Sequence, residues 1–288
     1  MVSRKEWIAG ARLRTLPAAI APVMVGTALA GKAADWRGIL ALVVSLSLQI
    51  AVNYANDYSD GIKGTDSDRV GPLRLVGSGI ASPASVKRAA FLFFGIAMIA
   101  GLVLALTTSL ILIGIGALAI VAAWTYTGGP KPYGYSALGE VSVFLFFGLI
   151  ATVGTFYVQT ETVTLASFLL SIPIGVLACA ILGLNNLRDR EKDAKAKKRT
   201  LAVILGDKGA RNFYTLLLMV AHLGSISLYF VTPSVFSTLF LLPFSARLAR
   251  NVLNGAQGKD LIRLLANTGK LQIAFAFFLS FALVTSIR

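Results

Sequence analysis

The sequence predicts an all-α integral membrane protein with about nine transmembrane helices, and three observations support this prediction. Hydrophobic residues make up 56% of the 288 residues and charged residues 14%, whereas charged residues account for about 25% of a soluble domain. Apolar stretches of helical length recur along the whole chain, and basic residues lie almost entirely in alternate connecting segments. A water-soluble fold is excluded, and we treat residues 1–288 as a single transmembrane domain.

The apolar stretches define the expected spans. A helix needs roughly 20 residues to cross a hydrocarbon core of about 30 Å. Stretches of about this length lie at 15–31, 38–57, 89–107, 109–127, 139–158, 166–185, 212–230, 233–249 and 270–287. We therefore expect a multi-pass protein of the lipid bilayer.

The basic residues predict the orientation of these spans. With the N-terminus in the cytoplasm, all but three of the 27 basic residues fall on the cytoplasmic side, the exceptions being Lys32, Arg37 and Arg288. Cytoplasmic segments of membrane proteins carry such an excess of Lys and Arg. The net charge of +14 is thus explained without a nucleic-acid partner. We expect a protein of the cell membrane whose N-terminus and long loops are cytoplasmic.

Two of the expected cytoplasmic loops are long, at 58–88 and 186–211, and each follows an acidic motif at a helix end. Eight of the 13 acidic residues belong to the two motifs and their loops. In the first, Asn53 precedes Asp57 by four residues; in the second, Asn185, Asp189 and Asp193 repeat the same interval. Residues four apart share one face of a helix, so each motif presents aligned oxygen atoms.

These oxygen atoms favour a magnesium site. Carboxylate and amide oxygens without a cluster of His or Cys suit Mg²⁺ rather than zinc or copper. The candidate metal ligands are Asn53, Asp57, Asp60, Asn185, Asp189 and Asp193. Because Mg²⁺ is usually held by one or two carboxylates together with substrate phosphate, a phosphate-bearing substrate follows as a hypothesis.

Basic residues follow both acidic motifs and supply the positive charge that such a substrate needs. Arg and Lys side chains bind the oxygens of a diphosphate through charge-assisted hydrogen bonds. The candidates for this role are Lys63, Arg69, Arg74, Arg190 and Lys198. The alternative interpretation is that they are inside-positive topology determinants and partners in salt bridges at helix ends.

A third cytoplasmic segment, WTYTGGPKPYGYSALGE, combines aromatic and ionisable residues around Gly and Pro turns. It contains Tyr126, Lys131, Tyr133, Tyr135 and Glu140. Tyrosine residues near a bilayer interface often serve as anchors only. Because an isolated Lys and an intramembrane Glu accompany them here, we expect part of this segment to form a substrate wall.

The same motifs resemble those of the UbiA superfamily of intramembrane aromatic prenyltransferases. The resemblance covers nearly the whole chain and includes the opening RLRTLPAAIAPVMVGTA, the block NYANDYSDGIKGTD with RVGPLRLVGSG, the loop YTGGPKPYGYSALGE and the block NNLRDREKDAKAKKRTLAVILG. The form of the first block and of the loop is most similar to the branch that acts on dihydroxynaphthoate in menaquinone synthesis.

The resemblance implies a UbiA-type fold of nine helices around a central cavity, in which the two acidic motifs hold Mg²⁺ on a polyprenyl diphosphate. It implies catalytic roles for Asp57, Asp60, Asp189, Asp193, Tyr126 and Lys131. Candidates to hold the aromatic acid are Arg12, Arg14, Tyr126 and Lys131. Two positions depart from the superfamily pattern: four residues instead of three separate Tyr126 from Lys131, and Lys197 stands where Gly is usual before Lys198.

The expected reaction is transfer of the polyprenyl group to dihydroxynaphthoate, with loss of CO₂ and diphosphate, which gives a demethylmenaquinone. Other aromatic acceptors remain open, namely 4-hydroxybenzoate, homogentisate and a porphyrin derivative. A cation-coupled transporter also places carboxylates among helices, but its site is expected near the midplane on broken helices. The acidic motifs here lie at helix ends beside basic loops, which favours the enzyme.

Overall fold

A computed structural model of the chain describes residues 2–32, 35–64 and 73–286. These residues are predominantly helical, as the sequence predicts. The α-helices, in chain order, are α1 (Arg4–Gly10), α2 (Pro17–Ala30), α3 (Trp36–Ile62), α4 (Pro83–Thr107), α5 (Ile111–Thr125), α6 (Gly139–Thr160), α7 (Leu165–Lys195), α8 (Leu201–Ile226), α9 (Leu242–Leu253) and α10 (Gly258–Ser286). Helix α6 includes a π-helical stretch at Phe144–Ile150, and the 3₁₀ segments are Leu13–Thr15, Tyr133–Tyr135, Ser227–Phe230 and Pro233–Leu241.

Six helices within the described part of the chain are long and apolar enough to cross a membrane: α3, α4, α6, α7, α8 with its 3₁₀ extension, and α10. The segment Arg4–Thr15 and α2 meet at a bend of 54°, and counting this pair as one span gives seven. Each of the nine predicted stretches coincides with a helical segment. The count of nine spans is nevertheless not confirmed, because α5 has only 15 residues and the stretch 233–249 is divided between a 3₁₀ segment and α9.

The outer surface of the helices is apolar. Along α4, Leu92, Ile99 and Leu106 each expose more than half of their surface, and Leu118 of α5 does the same. Soluble monomers rarely expose apolar patches this extensive. An apolar outer surface is typical of membrane-spanning helices, because the bilayer core is as apolar as these side chains.

The two acidic motifs are helical, which corrects the predicted loop boundaries. The spans predicted at 38–57 and 166–185 end too early, since α3 continues to Ile62 and α7 to Lys195. The second predicted loop, 186–211, is mostly helix and contains only a short turn before α8 begins at Leu201. The predicted span length measures the hydrocarbon crossing alone, and a helix can continue beyond it into water. In α7 the added residues include Arg, Lys and Glu, which are good helix formers.

Two apolar clusters form the core on either side of a central space. The first joins α3 and α4 with the segment that connects them, and includes Tyr54, Leu75 and Phe94. The second joins α2, α7, α8 and α10 and is larger. Close approach of α6 to α7 depends on glycine, because a Cβ atom at Gly148 would lie 2.6 Å from the Cα atom of Gly175. Small residues at such crossings let transmembrane helices pack closely.

Candidate active site

A cavity of about 770 Å³ lies between α2, α3, α4, α5, α6 and α7. Its lining changes in character along its length. At one end the wall is polar and charged, with Asn53, Asn56, Asp60, Arg74, Asn185, Arg188 and Lys198. Elsewhere the wall is mainly apolar, with residues such as Leu104, Ile115, Phe147 and Ile150. The cavity therefore suits a molecule with a charged head and an apolar remainder.

Helix α3 contributes the first acidic motif as a stripe along the cavity wall. Ser45, Gln49, Asn53, Asn56 and Asp60 line the cavity at intervals of three or four residues, which is the spacing of one helix face. Asn53 donates to the backbone oxygen of Ala11 at 2.9 Å. Its side chain thereby fixes the N-terminal segment against α3 at the polar end of the cavity.

Asp60 is the acidic residue of the first motif that faces the cavity, and several groups converge on its buried carboxylate. The hydroxyl of Tyr135 donates to Oδ1 at 2.9 Å. The guanidinium of Arg74 and the ammonium of Lys198 lie 3.7 and 3.8 Å from Oδ2. Because a carboxylate this buried is costly without cationic or hydrogen-bonding partners, these contacts account for the burial of Asp60 at the polar end of the cavity.

Asp57 lies one face away from this stripe and does not line the cavity. Its fully buried carboxylate accepts the backbone N–H groups of Leu75 at 2.8 Å and Val76 at 3.1 Å. Both bonds cross from α3 to the segment that carries Arg74. Asp57 thus holds this segment against the helix. The four-residue spacing from Asn53 predicts that Asp57 shares the face of Asn53, but it does not show whether the Asp57 side chain lines the cavity.

The second motif is organised around Arg188. Its side chain donates to both carboxylate oxygens of Asp189, at 2.8 and 2.7 Å, and to Oδ1 of Asn185 at 2.8 Å. Arg188 and Asn185 line the cavity, whereas Asp189 supports them from outside its wall. The paired donors of an arginine match the two oxygens of a carboxylate, so this contact fixes the geometry of the motif.

The turn after α7 delivers Lys198 to the cavity. The N–H of Lys198 donates to the carbonyl of Asp193 at 2.8 Å, and that of Lys197 to Ala194 at 3.1 Å. These two bonds define a Schellman motif, in which the residue at Lys197 is left-handed; its φ is 56°. Lys198 consequently folds back on the end of α7, and its ammonium lies 3.8 Å from Oδ1 of Asp193.

Tyr135 connects the two motifs and is a site residue that the pattern of acids does not reveal. Two ammonium groups lie near its ring, with the centroid 5.0 Å from Lys63 and 5.1 Å from Lys198. At these distances cations are attracted to an aromatic face. Its carbonyl accepts the N–H of Arg199 at 3.1 Å. We expected part of this loop to form a wall of the site. Tyr126 and Tyr133 line the cavity, and Tyr135 lies beside it.

Lys63 lies beside Tyr135 at the end of α3. Its ammonium donates to the carbonyl of Thr127 at 2.7 Å. Burial lowers the pKa of Lys63, an effect that the nearby Lys198 reinforces and Asp60 opposes. Lys63, Arg74 and Lys198 place cationic side chains around Asp60 at the polar end of the cavity, and cationic side chains bind polyanionic groups through charge-assisted hydrogen bonds.

The remaining predicted residues are not all brought to the cavity. Arg12, Arg14 and Tyr126 line it. Lys131 is exposed and away from the cavity wall, while Arg190 lies 3.5 Å from Glu191 and 3.8 Å from Asp207, on another side of α7. Arg69 is outside the described residues.

Asn56 and Arg188 line the cavity and are not among the predicted residues, although the sequence pattern points to both. Asn56 precedes Asp60 by four residues, so the two share a helix face. Arg188 lies within the second motif, between Asn185 and Asp189. His222 lies outside the site: its Nε2 is 2.9 Å from the Ser245 hydroxyl, in keeping with a packing role.

The oxygen atoms at the polar end are compatible with magnesium. Among the described residues, no three acidic, histidine or cysteine side chains come together as a ready-made metal cage. Mg²⁺ does not need one, since it usually combines one or two carboxylates with waters and substrate phosphate. The carboxylates that would contribute here are those of Asp60 and Asp193, each 3.8 Å from the Lys198 ammonium. The amide oxygens of Asn56 and Asn185 already accept hydrogen bonds, from the Thr127 hydroxyl at 2.7 Å and from Arg188 at 2.8 Å.

A largely apolar cavity between membrane helices, with carboxylates and cations at one end, defines a class of intramembrane protein that accommodates an amphipathic anion. The chain belongs to the UbiA prenyltransferase family, whose model matches residues 19–271. It is 48% identical to a protein of Mycobacterium tuberculosis named 1,4-dihydroxy-2-naphthoate octaprenyltransferase, over 98% of each chain. A protein of Escherichia coli with the same name is 40% identical over 88% of this chain and 86% of its own length.

The fold is also that of solved family structures. A UbiA homolog from Archaeoglobus fulgidus bound to GPP and Mg²⁺ superposes with a TM-score of 0.71 over 97% of this chain and 99% of that chain, at 15% identity. The UbiA-type fold expected from the sequence motifs is thereby confirmed.

Proposed function

We propose that this chain transfers a polyprenyl group from its diphosphate to 1,4-dihydroxy-2-naphthoate, with loss of diphosphate and CO₂, to give a demethylmenaquinone in its reduced, quinol form. The names of the Mycobacterium tuberculosis and Escherichia coli relatives support this acceptor. The observation that carries the proposal is the cavity itself, because its charged end and its apolar remainder match the two parts of a prenyl diphosphate.

Magnesium fits the charged end of the cavity, where the carboxylates of Asp60 and Asp193 would hold it together with the oxygens of the substrate diphosphate. Mg²⁺ bound there supplies positive charge to the oxygens of the diphosphate group. The Archaeoglobus fulgidus homolog, whose structure contains GPP and Mg²⁺, supports the same pairing of metal and prenyl diphosphate in this chain.

The basic residues at the mouth stabilise the departing diphosphate. Lys198 and Arg74 line the cavity, and the Lys63 ammonium lies 5.0 Å from the Tyr135 ring beside them. Positive groups fixed in advance where negative charge develops lower the barrier to bond cleavage. The C–O bond of the donor breaks, its electron pair leaves with the diphosphate, and the electron-rich ring attacks the allylic cation at the carbon that carries the carboxylate. The bond from that carbon to the carboxylate then breaks, CO₂ leaves, and the electron pair of the bond restores the aromatic ring.

The aromatic acid is held on the same polar end of the cavity, by Arg12 and Arg14 from the N-terminal segment and by Tyr126. All three line the cavity. An arginine matches a carboxylate through paired hydrogen bonds, whereas the exposed Lys131 is poorly placed for this role. The apolar remainder of the cavity excludes water, which protects the allylic cation until the ring attacks it.

The same proposal includes nine membrane-crossing segments in the cell membrane with the active site on the cytoplasmic side. The excess of basic residues between spans of one parity supports the orientation. Cysteines introduced at Lys87 and Lys195 test it in intact cells. Protection of both from an impermeant thiol reagent added outside is the expected result, and labelling of both contradicts the orientation.

Product analysis tests the function. Purified protein is incubated with octaprenyl diphosphate, Mg²⁺ and dihydroxynaphthoate, or with 4-hydroxybenzoate or homogentisate in its place, and products are identified by mass spectrometry. A decarboxylated prenyl product from dihydroxynaphthoate alone is expected. Prenylation of another acceptor only overturns the assigned substrate, and absence of any prenylated product overturns the reaction.

A further inference from the structure

Two half-buried glycine residues lie in the apolar wall of the cavity. Gly116 of α5 and Gly154 of α6 both line it. At most buried glycines of this protein a Cβ atom would collide with a neighbour, as at Gly148. At Gly116 and Gly154 no neighbouring heavy atom lies within 4 Å of a Cβ atom built on the backbone, so the open volume beside them is the cavity itself.

Both glycines lie far from the charged end. Gly116 precedes Tyr126 by ten residues, which at a helical rise of 1.5 Å corresponds to about 15 Å. Gly154 follows Ser142 by twelve residues, or about 18 Å, and Ser142 is anchored near the polar end by a 2.8 Å hydrogen bond with Tyr133. A short prenyl donor bound by its diphosphate ends before this level, whereas a long one must pass it.

The surrounding wall is suited to hydrocarbon. Ile115, Phe147, Ile150 and Ala151 also line this part of the cavity. An isoprenoid chain would bury apolar surface there, and its only polar part, the diphosphate, would remain at the charged end. Because side chains at Gly116 and Gly154 would project into the path, the lack of a side chain at both positions keeps it wide.

We propose that Gly116 and Gly154 determine the longest prenyl chain that the enzyme accepts. This inference rests on the proposed function, since it assigns the length of the donor in that reaction. A large side chain at either position blocks the cavity beyond the first isoprene units and leaves the charged end untouched. Donors that end before the block still react, and longer donors do not.

The experiment compares Gly116→Phe and Gly154→Phe with the wild type on geranyl, farnesyl, geranylgeranyl and octaprenyl diphosphates. Gly114→Phe is the matched control, because Gly114 lies on the exposed face of the same helix and also has no neighbour within 4 Å of a Cβ atom. The measured quantity is kcat/KM for each donor at saturating dihydroxynaphthoate and Mg²⁺.

For both variants we expect kcat/KM with octaprenyl diphosphate to fall at least about tenfold, because the added side chain overfills the apolar path. With geranyl diphosphate kcat/KM should fall less than about twofold, because the charged end is unchanged. The control should retain the wild-type profile. Equal losses with all donors, or an unchanged profile, overturn the role in chain length. A wild type without activity on any donor instead contradicts the proposed function.

Discussion

Lys198 and Asp60 form an ion pair across the mouth of the cavity, with 3.8 Å between Nζ and Oδ2, although they are far apart in the sequence. Asp60 ends the first acidic motif on α3, and Lys198 follows the second on α7. The same ammonium lies 3.8 Å from Oδ1 of Asp193. Lys198 therefore joins the carboxylates of the two motifs into one site.

Replacing Lys198 tests this joint role. Lys198→Met keeps the apolar stem and removes the charge, so kcat/KM for the prenyl diphosphate should fall by about 10²-fold or more, the usual effect of losing a group that stabilises developing negative charge. Lys198→Arg should recover part of the activity. Steady-state kinetics over a series of prenyl diphosphate concentrations measure both effects.

The control for this substitution is Lys195→Met, since Lys195 is exposed near the end of α7. It should behave as the wild type. Wild-type kinetics for Lys198→Met, or equal losses at Lys195 and Lys198, would show that the charge at Lys198 has no specific role.

Asp57 and Asp60 should respond differently to the same substitution. In Asp57→Asn one backbone N–H, of Leu75 or Val76, loses its acceptor, which costs about 1–3 kcal/mol for a buried group and lowers the melting temperature by several degrees. Asp60→Asn should lower activity much more than stability, because Asp60 faces the cavity. Thermal unfolding in detergent and product formation separate the two; an unchanged melting temperature for Asp57→Asn would refute its anchoring role.

The contrast between these two acids shows how far the sequence reaches. Composition predicts the membrane class, and the repeated Asn and Asp interval predicts that both motifs contribute to one polar site. The interval alone does not reveal which face of α3 meets the cavity, because the packing of α4 and its connecting segment decides that. Asp57 consequently turns to the backbone of Leu75, while Asn56, which carries no charge, lines the cavity.

Lys131 and Tyr135 give a second example. Both belong to the same Gly- and Pro-rich segment, and charge alone favours Lys131 as the functional residue. The structure instead leaves Lys131 exposed and bonds Tyr135 to Asp60. Turns of this kind reverse the chain within a few residues, so periodicity does not predict which side chain faces inward.

The departure from the family pattern at Lys197 has a structural consequence. Its φ of 56° is a conformation that glycine adopts freely and that costs other residues about 1–2 kcal/mol. Lys197→Gly should therefore raise the melting temperature slightly without lowering activity, because Lys198 keeps its place. Ala196→Gly is the control, since Ala196 has a φ of −80° and gains nothing from glycine. A lower melting temperature for Lys197→Gly would contradict the assigned strain.

Removal of the divalent cation should abolish activity. The donor set at the polar end consists of oxygen atoms, which Mg²⁺ prefers, so excess chelator should stop turnover and added Mg²⁺ should restore it. Binding of the prenyl diphosphate, measured by its protection against thermal unfolding, should weaken in parallel. Full turnover in chelator would reject a metal-dependent reaction.

The two motifs should act as one unit in a double-mutant cycle of Asp60→Asn and Asp193→Asn. Each substitution removes a charge with almost no change in volume, so each should lower kcat by about 10²–10³, as loss of a single stabilising group does in other enzymes. Because both carboxylates act through the same Lys198 and the same bound substrate, the double variant should be far less impaired than the product of the single effects.

The control for this cycle is Asp260→Asn, an exposed position 3.8 Å from Arg263, which should leave activity nearly unchanged. Strictly multiplicative losses would show two independent sites, and an equal loss at Asp260 would show that the acids serve topology rather than catalysis.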